Sequence, residues 1–73
     1  MASRTFSPTR FRQIREAGGF TRIAVAFVAG RTEQSIWLWE RGRVVPSVAT
    51  LEAVANYFGC DVTDFFDEVE SHV

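Results

Sequence analysis

The chain has no lysine: all eight of its basic residues are arginine, a bias of the kind a GC-rich genome gives, which carries no mechanism by itself. Its one cysteine, Cys60, is too little for an internal disulfide or a thiolate metal cluster. That fits a reducing compartment and removes both staples on which small secreted domains rely. The one histidine, His72, lies near the carboxyl end, where a solvated role is expected. Only two prolines among 73 residues, with 47% apolar residues, exclude wholesale disorder. The longest apolar run, Ile23 to Ala29, has seven residues, against about 20 needed to cross a bilayer. The first ten residues are polar, include Arg4 and Arg10, and lack the apolar stretch of a secretory signal. A soluble cytoplasmic protein is expected, with no membrane partner. Missing too are a nucleophile beside a base, paired carboxylates in an apolar setting, a metal-ligand cluster and a phosphate-cradling glycine loop. Neither an enzyme nor a cofactor is expected.

Positive charge also looks deficient, because a formal net charge of −1 argues, taken alone, against a nucleic-acid partner. Its distribution reverses that argument. Residues 1–43 hold all eight Arg against Glu16, Glu33 and Glu40, a net of +5, while residues 44–73 hold six acids and no base, a net of −6. The small total is a cancellation between two poles.

Seventy-three residues suffice for one small domain, since a chain this short buries only about 60% of its unfolded surface. Its punctuation divides it into short helices. Ser7-Pro8 opens the first, Phe11 and Ile14 supply its inward stripe, and Gly18-Gly19 stops it. Thr21 caps a second helix to about Ala29, Gly30 turns the chain, and Thr32 caps a third from Glu33 to about Arg41, ended by Gly42. Ser47 caps a fourth with Leu51, Val54, Ala55 and Phe58 inward. Asp61 and Asp64 form a capping-box pattern ahead of a fifth apolar stripe, Val62, Phe65, Phe66 and Val69. Nothing reads as a strand pair. The expected fold is a compact all-α, five-helix domain over 7–69, with a flexible arm at 1–6 and a frayed tail at 70–73.

Gly30-Arg31-Thr32 has the length and glycine content of the turn in a helix-turn-helix. Around it run Ile14-Arg15-Glu16, Gly19-Phe20-Thr21, Ala26, Ser35-Ile36, Trp39-Glu40-Arg41-Gly42 and Pro46-Ser47. This series resembles the phage repressor and Cro type of helix-turn-helix, the XRE family, and the likeness continues through Leu51, Ala55, Gly59 and Phe65-Phe66. The resemblance implies a lambda-repressor-like fold, sequence-specific DNA binding, and an internal ion pair between Arg15 and Glu40. Arg31 departs from the family pattern, which has a buried aliphatic there, and is expected either to loosen that end or to turn toward DNA.

On a helical wheel Ile36, Trp39 and Glu40 share the inward side of the third helix, with Ser35 at its edge. Glu33, Gln34, Trp37, Leu38 and Arg41 face outward. The expected base contacts are Glu33, Gln34, Trp37 and Leu38. Gln34 suits adenine, whose N7 and 6-amino group match an amide; Glu33 can accept from cytosine, and Trp37 and Leu38 can meet thymine methyls. Thr21, Arg22, Arg31, Ser35, Arg41 and Arg43 are the expected phosphate contacts, bracketing the reading helix.

Helix two is apolar on both sides: Ile23, Ala24, Phe27 and Val28 lie opposite Val25, Ala26 and Ala29. Either an arm carrying Phe6 folds over it, or another protein covers Ile23, Phe27 and Val28, or the helix is rotated. A chain of this size is expected to pair through the domain itself, as a homodimer on an inverted repeat, using Val44-Val45 and the carboxyl-terminal stripe. Two functions stay open: a small Cro-like repressor, or an interaction module of the same fold, such as an antitoxin, an anti-repressor or an activator contacting polymerase.

Overall fold

Each helix begins where a hydroxyl accepts an otherwise unpaired amide. Ser7 Oγ accepts from the Arg10 N–H at 3.1 Å, Thr21 Oγ1 from Ala24 at 3.1 Å, Thr32 Oγ1 from Ser35 at 3.2 Å, and Ser47 Oγ from Thr50 at 3.2 Å. These caps open α1 (Pro8–Ala17), α2 (Arg22–Ala29), α3 (Glu33–Glu40) and α4 (Val48–Phe58) in a computed structural model that describes the backbone of residues 2–70 and the side chains of residues 4–67. His72, and the expected tail beyond Glu70, lie outside the described residues, as does the side chain of Val69.

Two glycines are required for different reasons. Gly30 closes α2 at φ 67°, a left-handed backbone that costs other residues steric strain. Gly18 has an ordinary φ of −83°, but a Cβ there would fall on the Phe20 ring, 2.7 Å from Cδ2. That ring cannot give way easily, because it stacks on Phe58 at 4.6 Å between centroids.

The expected fifth helix is replaced by a single 3-10 turn and a strand. The Asp61–Asp64 capping box is present, with the Asp61 N–H donating to Asp64 Oδ2 at 3.1 Å, but the turn it opens spans only Val62–Phe65. At Phe66 the backbone becomes extended, with φ −119° and ψ 142°. Strand β2 (Phe66–Glu70) then pairs antiparallel with β1 (Ala2–Phe6), placing Phe6 opposite Phe66 and Ala2 opposite Glu70. The segments read as arm and helix stripe thus form a two-stranded sheet. Phe66 and Val69 are three apart, a helical spacing that puts them on opposite faces of a strand, so the extended form rests on the ladder partners that the opposite end of the chain supplies.

The core gathers around Phe11, which is fully buried and lies 5.0 Å from Phe65, 5.9 Å from Phe58 and 6.0 Å from Trp39, centroid to centroid. Val25, Ile36, Leu51 and Val54 fill the space between the helices. Burying each such side chain contributes about 1.5–3 kcal/mol. The carboxyl-terminal stripe, expected to help pair two copies, is turned inward: Phe65 is fully buried, and Val62 and Phe66 pack on the core.

Two of the three explanations for the apolar helix two are overturned. Phe6 packs on Phe11 and Phe66, with centroids 6.0 and 6.1 Å away, so it does not cover α2. Val25 and Ala26 are buried as the wheel requires, so the helix is not rotated. Ile23 and Phe27 remain exposed, Phe27 by 88%, while Val28 is half-buried.

Candidate nucleic-acid interface

The turn between α2 and α3 is set by its own chemistry. The left-handed Gly30 lets the Arg31 N–H return to the Ala26 carbonyl at 2.9 Å, which satisfies the end of α2 and redirects the chain at once into the Thr32 cap. Thr32 and Ser35 also share a hydroxyl contact at 3.1 Å, which holds the half-buried Ser35 on the cap. Ile36 and Trp39 are buried and fix the rotation of α3. Glu33, Gln34 and Trp37 are therefore exposed, as the wheel predicts, whereas Leu38 is half-buried.

Arg22, Glu33, Gln34 and Trp37 line one shallow cleft, so the amino ends of α2 and α3 open on the same space. Trp37 carries the Arg41 guanidinium over its ring, with Cζ 5.0 Å from the centroid, which links Arg41 to the cleft. Arg31 and Arg43, both exposed, stand apart at the turns before and after α3. Neither they nor Arg41 form ion pairs among the described residues. Beside the cleft, Thr21 Oγ1 uses a lone pair on the Ala24 amide and keeps its O–H available as a donor.

A buried carboxylate ties this face together. Arg15 Nε donates to Glu40 Oε2 and its Nη2 to Oε1 at 3.1 Å, with side chains only 8% and 3% exposed. Arg15 Nη1 also donates to the Phe20 carbonyl at 2.8 Å, just ahead of the Thr21 cap. The ion pair implied by the family resemblance is thus present, and it joins α1, α3 and the approach to α2. Arg22 adds a contact that sequence reasoning missed, its Nε donating to Glu40 Oε1 at 3.1 Å. No local signal announces it, because the two residues are separated by 18 positions.

Chemically the face offers guanidinium forks, hydroxyls, one amide, one carboxylate and an indole, a set suited to phosphate oxygens and base edges. The described residues include no group of three His, Cys, Asp or Glu side chains able to hold a metal, and no helix among them is long and apolar enough to cross a membrane. Burial pushes the Cys60 thiol up from its usual range, with Asp64 and Asp61 adding to the effect, so it rests protonated.

A family model described as a helix-turn-helix domain matches residues 9–65. The chain is 30% identical over 61 residues to the HTH-type transcriptional regulator PuuR of Escherichia coli (strain K12), and equally to the protein of that name from Shigella flexneri. The aligned stretch is 84% of this chain and 33% of each relative. The chain therefore spans about a third of the length of the curated relatives it matches. No solved structure matches it.

Proposed function

The chain belongs to the helix-turn-helix domain family, and from that premise we propose that it binds double-stranded DNA and regulates transcription, with no catalysis of its own. The observation that carries the reading is the shared cleft of Arg22, Glu33, Gln34 and Trp37, which sets a prospective phosphate contact beside prospective base readers. In this reading Glu33, Gln34, Trp37 and Leu38 enter the major groove, Gln34 reading adenine. Thr21, Arg22, Arg31, Ser35, Arg41 and Arg43 hold the backbone on either side. The protein acts as a small repressor on an inverted repeat, paired as a homodimer through Val44 and Val45. Both valines are exposed, Val45 by 69%, and the exposed Val48 is a third member that sequence reasoning did not single out.

The test is a gel shift on the DNA upstream of the protein's own gene at about 50 and 200 mM salt. A dimer neutralising about four to six phosphates loses at least a decade of affinity over that range. Absence of binding at the lower salt defeats the reading.

One observation favours a second function. Ile23 and Phe27, 65% and 88% exposed, with Val28 at their margin, form an apolar face on α2 that no described residue covers. An interaction module, whether antitoxin, anti-repressor or activator, would use that face on a protein partner.

A further inference from the structure

Arg22 stands where helix electrostatics disfavour it. It is the first residue of α2, at the positive end of the helix dipole, and the first turn holds no acidic residue to offset it. Glu40 is only part of the answer, because Arg15 already engages both oxygens of that carboxylate. Arg15 Nη2 also lies 3.8 Å from Glu16 Oε2, and Glu16 pairs in turn with Arg12, so the linked set places three guanidinium groups against two carboxylates and carries one positive charge in surplus. Of the two guanidinium groups on Glu40, Arg22 is the one that reaches solvent, its side chain 35% exposed against 8% for Arg15.

Only Nε of Arg22 is engaged among the described residues, by Glu40 Oε1 at 3.1 Å. Its two terminal amino groups are unengaged at the cleft lined by Glu33, Gln34 and Trp37, and Glu33 forms no ion pair with them. A guanidinium held at Nε has its plane fixed, and the remaining donors form a fork matched to two oxygens of one phosphate. The Thr21 hydroxyl, next in sequence, keeps a donor for the same anion.

We propose that the buried Glu40 is a positioning residue for DNA, holding Arg22 by Nε so that its outer edge clamps a backbone phosphate. The inference rests on the DNA-binding reading above and adds to it a buried acid that touches no nucleic acid. Lysine does not reproduce this role, since its three donors radiate from one nitrogen and cannot offer phosphate two parallel N–H bonds while another is held by Glu40.

Glu40→Gln is the direct variant, but it also strips Arg15 of its carboxylate and risks the fold. Arg22→Lys keeps the charge and leaves the Arg15–Glu40 pair intact, so it decides the matter. The assay is fluorescence anisotropy of the whole chain on a random-sequence duplex of about 30 base pairs, titrated in KCl, beside thermal melting of each protein. Arg22→Lys is expected to melt with the wild type, to lose about one unit of slope in log affinity against log salt, and to bind about eightfold more weakly near 0.1 M salt. A slope equal to the wild type overturns the inference, since a point charge then suffices. So does a lowered melting temperature with unchanged binding, the signature of a merely structural ion pair. Failure of the wild type itself to bind the duplex at low salt removes the DNA reading and this inference with it, an outcome distinct from either.

Discussion

Gln34 and Glu40 sit on one short helix and do opposite work, the first turned out and the second folded in. Gln34→Ala removes an exposed amide from the surface, so the fold is expected to melt as before. Affinity for a selected operator is expected to fall by about 1–3 kcal/mol, roughly five- to 150-fold, with little change on random DNA. Gel shifts on both duplexes check this, and equal loss on the two shows that Gln34 does not read sequence. Glu40→Ala acts on stability instead. It strands the buried Arg15 guanidinium, a change worth about 3–5 kcal/mol that urea unfolding measures directly. The exposure of Gln34 was legible in the sequence, because a helical wheel sorts neighbours within one element. The Arg15 partner of Glu40 came through the family resemblance, whereas its second partner, Arg22, was not legible, because it lies 18 residues away with no local signal.

At the scale of elements, the caps decide where the helices begin. Thr32→Ala deletes the acceptor for the Ser35 amide and is expected to cost about 1 kcal/mol, with amide exchange in the first turn of α3 rising more than in α4. The Asp61 cap adds a pH dependence. Hydrogen bonds from the Thr63 backbone and hydroxyl, with the Arg4 charge, hold its carboxyl below the usual carboxylate range. A lowered folded pKa gives stability that is present above the unfolded value, near pH 4, and is lost as pH falls through the lower folded value. Asp61→Asn is therefore expected to flatten the acid limb of a stability profile taken between about pH 2 and 6; an unchanged acid limb counts against the cap. The conformation of the chain beyond that cap was not legible. Phe65, Phe66 and Val69 have the spacing of a helical stripe, and pairing with β1 overrode that local pattern from Phe66 onward.

At the scale of the whole molecule, the two charge poles read from the sequence are joined, among the described residues, by the ion pair of Arg10 with Asp67. Both side chains are about half exposed, so the pair contributes at most about 1 kcal/mol and screens readily in salt. The apolar face of α2 belongs to this scale as well. Phe27→Glu replaces a ring that is 88% exposed and is expected to leave the melting temperature nearly unchanged while abolishing any association through that face. Sedimentation, DNA binding and a reporter assay that all match the wild type show that α2 has no partner. By itself the sequence determined four helix starts, the turn between α2 and α3, the inward faces and the exposure of Glu33, Gln34 and Trp37 on α3, because caps, glycines and helical periodicity act within a turn or two of backbone. Only the tertiary structure decided the terminal sheet, the Arg22–Glu40 contact and the bare face of α2. Each depends on which distant segments meet, and a ladder partner, a buried counter-ion or an absent cover leaves no trace in local pattern.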